Sequence, residues 1–214
     1  CYEASLQIGL HAVGDRAFEQ VLAAHEYAQA ICPGTDLRHR VEHAELLSFD
    51  QIKRAKKLNL VLSMQPVFET LLGNTQKGLY EGCNELYVES LGERHLRTNM
   101  FRQILDEGIV ICAGSDSALT PVNPLLGIYS AVNHPKKDHA VTLIEAIKMF
   151  TSSAAYATFS ESERGSIARG KKADLTVLDK DIQKVKPESI KNISVDITIR
   201  DGRIVYSRNR EELL

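Results

Sequence analysis

The strongest constraint on this chain is a rhythm. Four short apolar runs are each handed over to a stretch with helical spacing. Residues 6–11 ("LQIGLH"), 37–43 ("LRHRVEH"), 60–65 ("LVLSMQ") and 108–116 ("GIVICAGSD") read as strands. After the first, Phe18, Val21, Leu22 and Ile31 fall at near-helical spacing; Asp15 is placed to cap the first turn and Pro33-Gly34 to stop the helix. Ser48 with Gln51, and Thr142 with Glu145, form capping-box pairs that open a helix at about 48–58 and another through "TLIEAIKMFTSSAAYATF". A further helix is expected at 94–107. Segment 67–92 has weak periodicity and several glycines, the texture of a long functional or mobile loop. Strand followed by helix, repeated four times, predicts parallel βα units and an α/β fold. After residue 160 short strands with glycine turns follow one another, and "RDGRI" places a hairpin turn at Asp201-Gly202.

Composition excludes several classes of function. The chain has 214 residues, 43% hydrophobic and 25% charged, an ordinary globular balance. Net charge is −2 and basic residues do not cluster, so neither nucleic acid nor a membrane surface is an expected partner. No apolar run approaches the ~18 residues of a membrane span. Cys1, Cys32, Cys83 and Cys112 are widely spaced with no C-x-x-C pair. They read as unpaired thiols of a reducing, cytoplasmic setting, and a cysteine-built zinc site is not expected.

The residues that end the strands carry the chemistry. His11 closes the first, His43 the second and Asp116 the fourth. Side chains alternate along a strand. Leu6, Ile8 and Leu10 share one face of the first strand, and Gln7, Gly9 and His11 the other. In the fourth, Ile109, Ile111 and Ala113 pack outward, while Cys112, Gly114 and Asp116 face the opposite way. Two histidines and a carboxylate at the C-terminal ends of parallel strands are a plausible donor set for a divalent metal, or for holding a water and moving protons. Each residue also fits a blander role. A single histidine at a strand end is more often a hydrogen-bonded structural group than a ligand, and Asp116 is also placed to cap the next segment. His39 shares the parity of His43 but lies deeper. His25 reads as a surface or packing residue of its helix, and His95, His134 and His139 as solvated. Arg38, Arg40 and Glu42 share the other face of the second strand and are expected to pair with one another or with a neighbouring helix.

Taken in order, "LHAVGDRA", "RHRVEHAELL", "LSMQP", "AGSDSAL" and "TSSAAYATFSESERGSIARGKKADLTVLD" resemble the C-terminal part of the amidohydrolase superfamily, in the branch of YtcJ-like metal-dependent hydrolases. The resemblance implies a (β/α)8 TIM-barrel type fold, here only the second half, strands five to eight, plus a small C-terminal β-sandwich remnant. It implies residues 1–160 as the barrel half and 161–214 as the tail. It implies one or two divalent ions, zinc above others, and activated water attacking an amide or related C–N bond other than a peptide bond. Carried over residue by residue, His11 matches the metal-ligand histidine of strand five. His43 matches the strand-six histidine, a second-metal ligand or a group that polarises the substrate. Asp116 matches the strand-eight aspartate, which contacts the metal and shuttles the proton. The superfamily's strand-one His-x-His pair and strand-four ligand have no counterpart here. The expectation is therefore a piece of a larger, small-molecule hydrolase, inactive alone and self-associating through open barrel edges. Two other readings remain: a non-catalytic barrel homologue, and a deaminase or isomerase of the same superfamily. Specificity is expected in segments 67–92 and 117–139.

Overall fold

The structure, a computed structural model, describes residues 3–33, 36–73 and 77–209; Cys1 and Gly34, which carry two of the expectations above, lie outside them. Four strands form one parallel sheet in the order β1 (Gly9–Ala12), β2 (Arg40–His43), β3 (Val61–Met64) and β4 (Ile111–Ala113). All four strands are shorter than the apolar runs that announced them. Leu6 stays outside β1 and is largely exposed, and β4 stops three residues before Asp116.

Helix α1 (Asp15–Ile31) follows β1, and α2 (Phe49–Lys57) follows β2. The N-cap of α1 is Gly14; Asp15 is the first helical residue, where its charge suits the helix N-terminus. The capping box at Ser48 is complete: its Oγ accepts from Gln51 N at 3.2 Å while Gln51 Oε1 accepts from Ser48 N at 3.0 Å. Segment 67–92 is not one long loop. It contains α3 (Val67–Leu71) and α4 (Cys83–Leu91). α3 is a single short turn of helix, and no residue of α4 is fully buried, so neither imposes an apolar period on the sequence. The helix expected at 94–107 is also divided. A 3₁₀ turn, Gly92–Arg97, gives way at Asn99 (φ 54°) to α5 (Phe101–Asp106). Beyond β4 come α6 (Pro124–Val132), α7 (Leu143–Phe150) and α8 (Ser152–Ala157). The Thr142–Glu145 box opens α7 as expected. The run expected as one helix breaks at Thr151, whose hydroxyl turns back to the Ile147 carbonyl at 2.7 Å.

Register fixes the two faces of the sheet. Gly9 pairs with Arg40, His11 with Glu42, Glu42 with Ser63, and Ser63 with Cys112. In parallel strands paired residues point the same way, so these six share one polar face. The opposite face carries Ala12, Val41, Leu62, Met64 and Ile111, all buried against Phe18, Leu22, Ile52, Phe101, Ile104 and Met149 of the helices. Each such large side chain contributes about 1.5–3 kcal/mol.

The tail forms an antiparallel sheet, β5 (Leu175–Leu178), β6 (Val195–Arg200) and β7 (Arg203–Ser207). Its hairpin turns at Asp201 (φ 50°) and Gly202 (φ 77°), both left-handed as a two-residue type I′ turn requires. A 3₁₀ turn, Pro187–Asn192, sets Ile190 into the main core. Cys32, Cys83 and Cys112 are free thiols. Among the described residues no helix is long and apolar enough to cross a membrane.

Three histidines are buried that their place in helix or loop leaves open or assigns to solvent. His25 packs beneath α1 beside His39, with ring centroids 5.1 Å apart. His134 and His139 were expected in solvent; both are buried, stacked edge-on at 5.1 Å. Burial, with a neighbouring imidazole, lowers the pKa of His25 and of His139 to about 4. An unfolded chain protonates these groups near 6.5, and the folded one resists until about 4. Their contribution is therefore complete above pH 6.5 and is lost as pH falls toward 4. Urea midpoints are expected to drop steadily from pH 7 to pH 4.5, with a shallower slope in His25→Leu.

Candidate functional site

His11 and His43 stand at the C-terminal ends of adjacent parallel strands, where α/β folds keep their chemistry. His11 follows the strand alternation: it shares the polar face with Glu42 and is exposed. His43 does not. Its register partner is Ala12, so alternation alone would send the imidazole toward the helices. The backbone instead takes φ 75° at His43 and 52° at Ala44. Two consecutive left-handed non-glycine residues are uncommon, and each costs about 1–2 kcal/mol. The result is that the His43 ring lies edge-on to His11, with centroids 4.5 Å apart and planes at 69°. Phe68 of α3 backs it at 6.1 Å. Three hydrogen bonds hold the turn: Ala44 N donates to Ala12 O at 2.9 Å, Leu46 N to Val13 O at 3.0 Å, and Asn99 N to Glu45 O at 2.8 Å, the last within the antiparallel bridge of Leu46 to Thr98.

Glu45, two residues on, is 2% exposed, and its Oε1 lies 3.6 Å from His43 Nδ1. That is a charge contact, longer than a direct hydrogen bond. The Glu45 carboxylate raises the His43 pKa despite burial, and the charges of Asp116 and Glu42 add to it. Asp116 thus lies within electrostatic reach of His43, but on an exposed turn (φ 53°) beyond the end of β4 rather than on the strand itself. The sheet brings His11 and His43 into contact; it does not gather Asp116 with them into a closed cage. Among the described residues no three His, Cys, Asp or Glu groups converge as a metal cage. Two imidazoles and a nearby carboxylate are nonetheless N/O donors of the kind a divalent ion takes, and a carboxylate behind His43 Nδ1 is the usual companion of a ligating histidine.

Arg40 and Glu42 pair with each other across the polar face at 3.0 Å. A Cβ at Gly9 would stand 3.0 Å from Glu42 Oε1, so the glycine makes room for that pair. Arg38 belongs elsewhere. It bonds Glu161 at 2.8 Å and Tyr156 O at 2.7 Å, and its guanidinium lies 3.7 Å over the Tyr156 ring. His39 is buried and accepts from Ile8 N at 3.1 Å.

Sequence reasoning missed the polar network behind the site. Glu69 of α3 is 1% exposed; its Oε1 accepts from Asn99 Nδ2 at 2.8 Å and stands 3.6 Å from His134 Nε2. Tyr87 of α4 donates its hydroxyl to Glu45 Oε2 at 3.0 Å. The one legible signal was Glu69 itself, a lone charge inside the apolar run "VFETLL". Asn99 and Tyr87 lie in segments with no pattern to mark them.

Beside Ser115 and the turn to Asp116 is a cavity of about 190 Å³, lined chiefly by Val67, Ala113, Val122, Pro124 and Phe150. Gly127 shapes it: a Cβ there would meet Phe150 Cζ at 2.3 Å. Its walls come from both segments expected to carry specificity.

Residues 1–206 match the family model described as "Amidohydrolase family". YtcJ of Bacillus subtilis (strain 168), which carries an amidohydrolase name, is 32% identical over 97% of this chain and 39% of its own length. N-substituted formamide deformylase of Arthrobacter pascens is 30% identical over 95% of this chain and 37% of its own. Among solved structures, an uncharacterized metal-dependent hydrolase from Pyrococcus horikoshii OT3 superposes with TM-score 0.71 and 27% identity, over 86% of this chain and 36% of that one. The chain spans under two fifths of the length of each of these relatives.

Asn99 joins two parts of the site, through its backbone to Glu45 and its side chain to Glu69. Asn99→Ala removes a buried bond to a carboxylate and places alanine at positive φ. It should destabilise the fold by about 2–4 kcal/mol, read as a lowered urea midpoint.

Proposed function

The chain belongs to the amidohydrolase family, and on that premise we propose that it contributes the second half of a (β/α)8 hydrolase barrel, strands five to eight, with a β-sandwich remnant behind it. Its α/β fold is related to the TIM barrel, and the family is one of metal-dependent hydrolases. Residues 1–160 are the barrel portion and 161–214 the tail. The reaction is hydrolysis of a C–N bond other than a peptide bond, in a small molecule. The deformylase named above supports that class of bond. The outer edges of β1 and β4 are unpaired among the described residues, which supports association with a complementary set of strands. The free cysteines support a reducing, cytoplasmic setting.

The observation that carries the reading is the His11–His43 contact at the ends of neighbouring strands, with Glu45 behind it. These two imidazoles and the Asp116 carboxylate are the residues that would hold a divalent ion, zinc in our reading. Bound there, such an ion would supply a water activated at neutral pH and would polarise the substrate carbonyl. Asp116 takes the proton from the attacking water and delivers it to the departing nitrogen. His43 is a ligand or a donor to the carbonyl oxygen, oriented in either role by Glu45. The apolar cavity beside Ser115 receives the substituent of the amide that does not react.

Cobalt(II) titration followed by visible absorption tests the donor set. The chain should bind the ion, and His11→Ala and His43→Ala should each weaken binding about tenfold or more. Wild-type affinity in both variants would refute the assignment. The zinc-loaded chain alone should show no turnover on a panel of amides and N-substituted formamides. Turnover that disappears in His11→Ala would show instead that this half is sufficient. In an active assembly, Val67→Phe, which fills the cavity, should raise KM for branched amides over formamides.

A further inference from the structure

Helix α4 has no fully buried residue, and Leu86 and Val88 on it are exposed. Cys83 at its start packs against the cluster of Val67, Phe68, Leu71 and Leu72, and Tyr87, half-buried, reaches the site with its hydroxyl 3.0 Å from Glu45 Oε2. The other oxygen of the same carboxylate faces His43 Nδ1 at 3.6 Å. The Glu45 backbone is pinned as well, since its carbonyl accepts from Asn99 N at 2.8 Å. The carboxylate is therefore buried and fixed at its main chain, hydrogen-bonded by Tyr87 at one oxygen and in charge contact with His43 at the other.

We propose that Tyr87 is a positioning residue: its hydroxyl fixes the Glu45 carboxylate so that His43 carries its proton on Nδ1 and keeps Nε2 as the free-electron-pair nitrogen. Which nitrogen of an imidazole is available is set by the bond its other nitrogen makes. A carboxylate accepts only, so a carboxylate held against Nδ1 selects the Nδ1–H tautomer. Burial and the Glu45 charge push the Tyr87 phenol well up from its ordinary pKa, so it remains a donor. A tyrosine serving only to anchor α4 would do so through its ring, and phenylalanine would replace it. The hydroxyl is what distinguishes the two roles. The inference rests on the reading of His43 as a functional donor given above.

The test is long-range ¹H–¹⁵N NMR of the His43 imidazole, at a pH above its titration, in the full chain. Wild type should show one tautomer, Nδ1–H. Tyr87→Phe, which leaves the ring in place, should show a mixture, and cobalt(II) affinity should fall about tenfold. In Glu45→Gln, Tyr87 should hold the amide oxygen and turn the amide NH₂ toward His43, which selects the opposite tautomer, Nε2–H. The double variant should lose that preference. The same tautomer in all four proteins overturns the proposal, and Glu45→Gln decides it if Tyr87→Phe fails to fold. A tautomer that responds in a chain that binds no cobalt leaves the positioning intact and removes the metal reading. Cobalt binding with an unresponsive tautomer does the reverse.

Discussion

The site depends on the backbone reversal at His43 and Ala44. A parallel strand offers its side chains alternately to the two faces, and His43 stands in register with a residue of the helix face. Without positive φ at the end of β2, its imidazole would be a packing group beside Ala12 and Val41. With it, the ring meets His11. The conformation is unfavourable in isolation, and the surroundings over-determine it through hydrogen bonds to β1 and the Asn99–Glu45 link within the bridge to Thr98. The 3₁₀ break before α5 is part of the same device, because Asn99 reaches the Glu45 carbonyl with its backbone and the Glu69 carboxylate with its side chain from a left-handed position.

Two kinds of order support this turn from opposite sides. On one face the apolar core fixes the strands by shape and burial. Behind the mouth, Glu45, Glu69, Thr98, Asn99, His134 and His139 form a buried polar layer, linked by the Glu69 contacts to Thr98, Asn99 and His134 and by the His134–His139 ring contact. An apolar core tolerates exchange among residues of similar volume, whereas a buried carboxylate tolerates little. The site is therefore specified more tightly by its backing than by its own two rings.

Much of the fold was legible because burial writes periodicity. The four strands, both capping boxes and the Asp201-Gly202 hairpin are local patterns, and the structure has them. Capping explains the helices that began where expected; tertiary capture explains those that did not. Thr98-Asn99 is drawn to Leu46 and Glu45, forty and more residues away in the chain, and no local pattern records it. The proximity of His11 and His43 was anticipated from their strand ends, but alternation could not supply the geometry, since the turn suspends it. His134 and His139 were assigned to solvent because loops are usually exposed; the carboxylate that accompanies His134 comes from α3, which sequence showed only as weak texture. Asp116 was extended along a strand that stops earlier, at Ala113.

The contact between Gly127 and Phe150 joins α6 to α7 across the wall of the cavity. It ties position 127 to position 150. A side chain at 127 requires the ring at 150 to swing aside or to give way to something smaller. A smaller residue at 150, arising first, opens the wall and leaves 127 free to change. The constraint thus runs one way: position 150 can change by itself, whereas a side chain at 127 depends on what stands at 150.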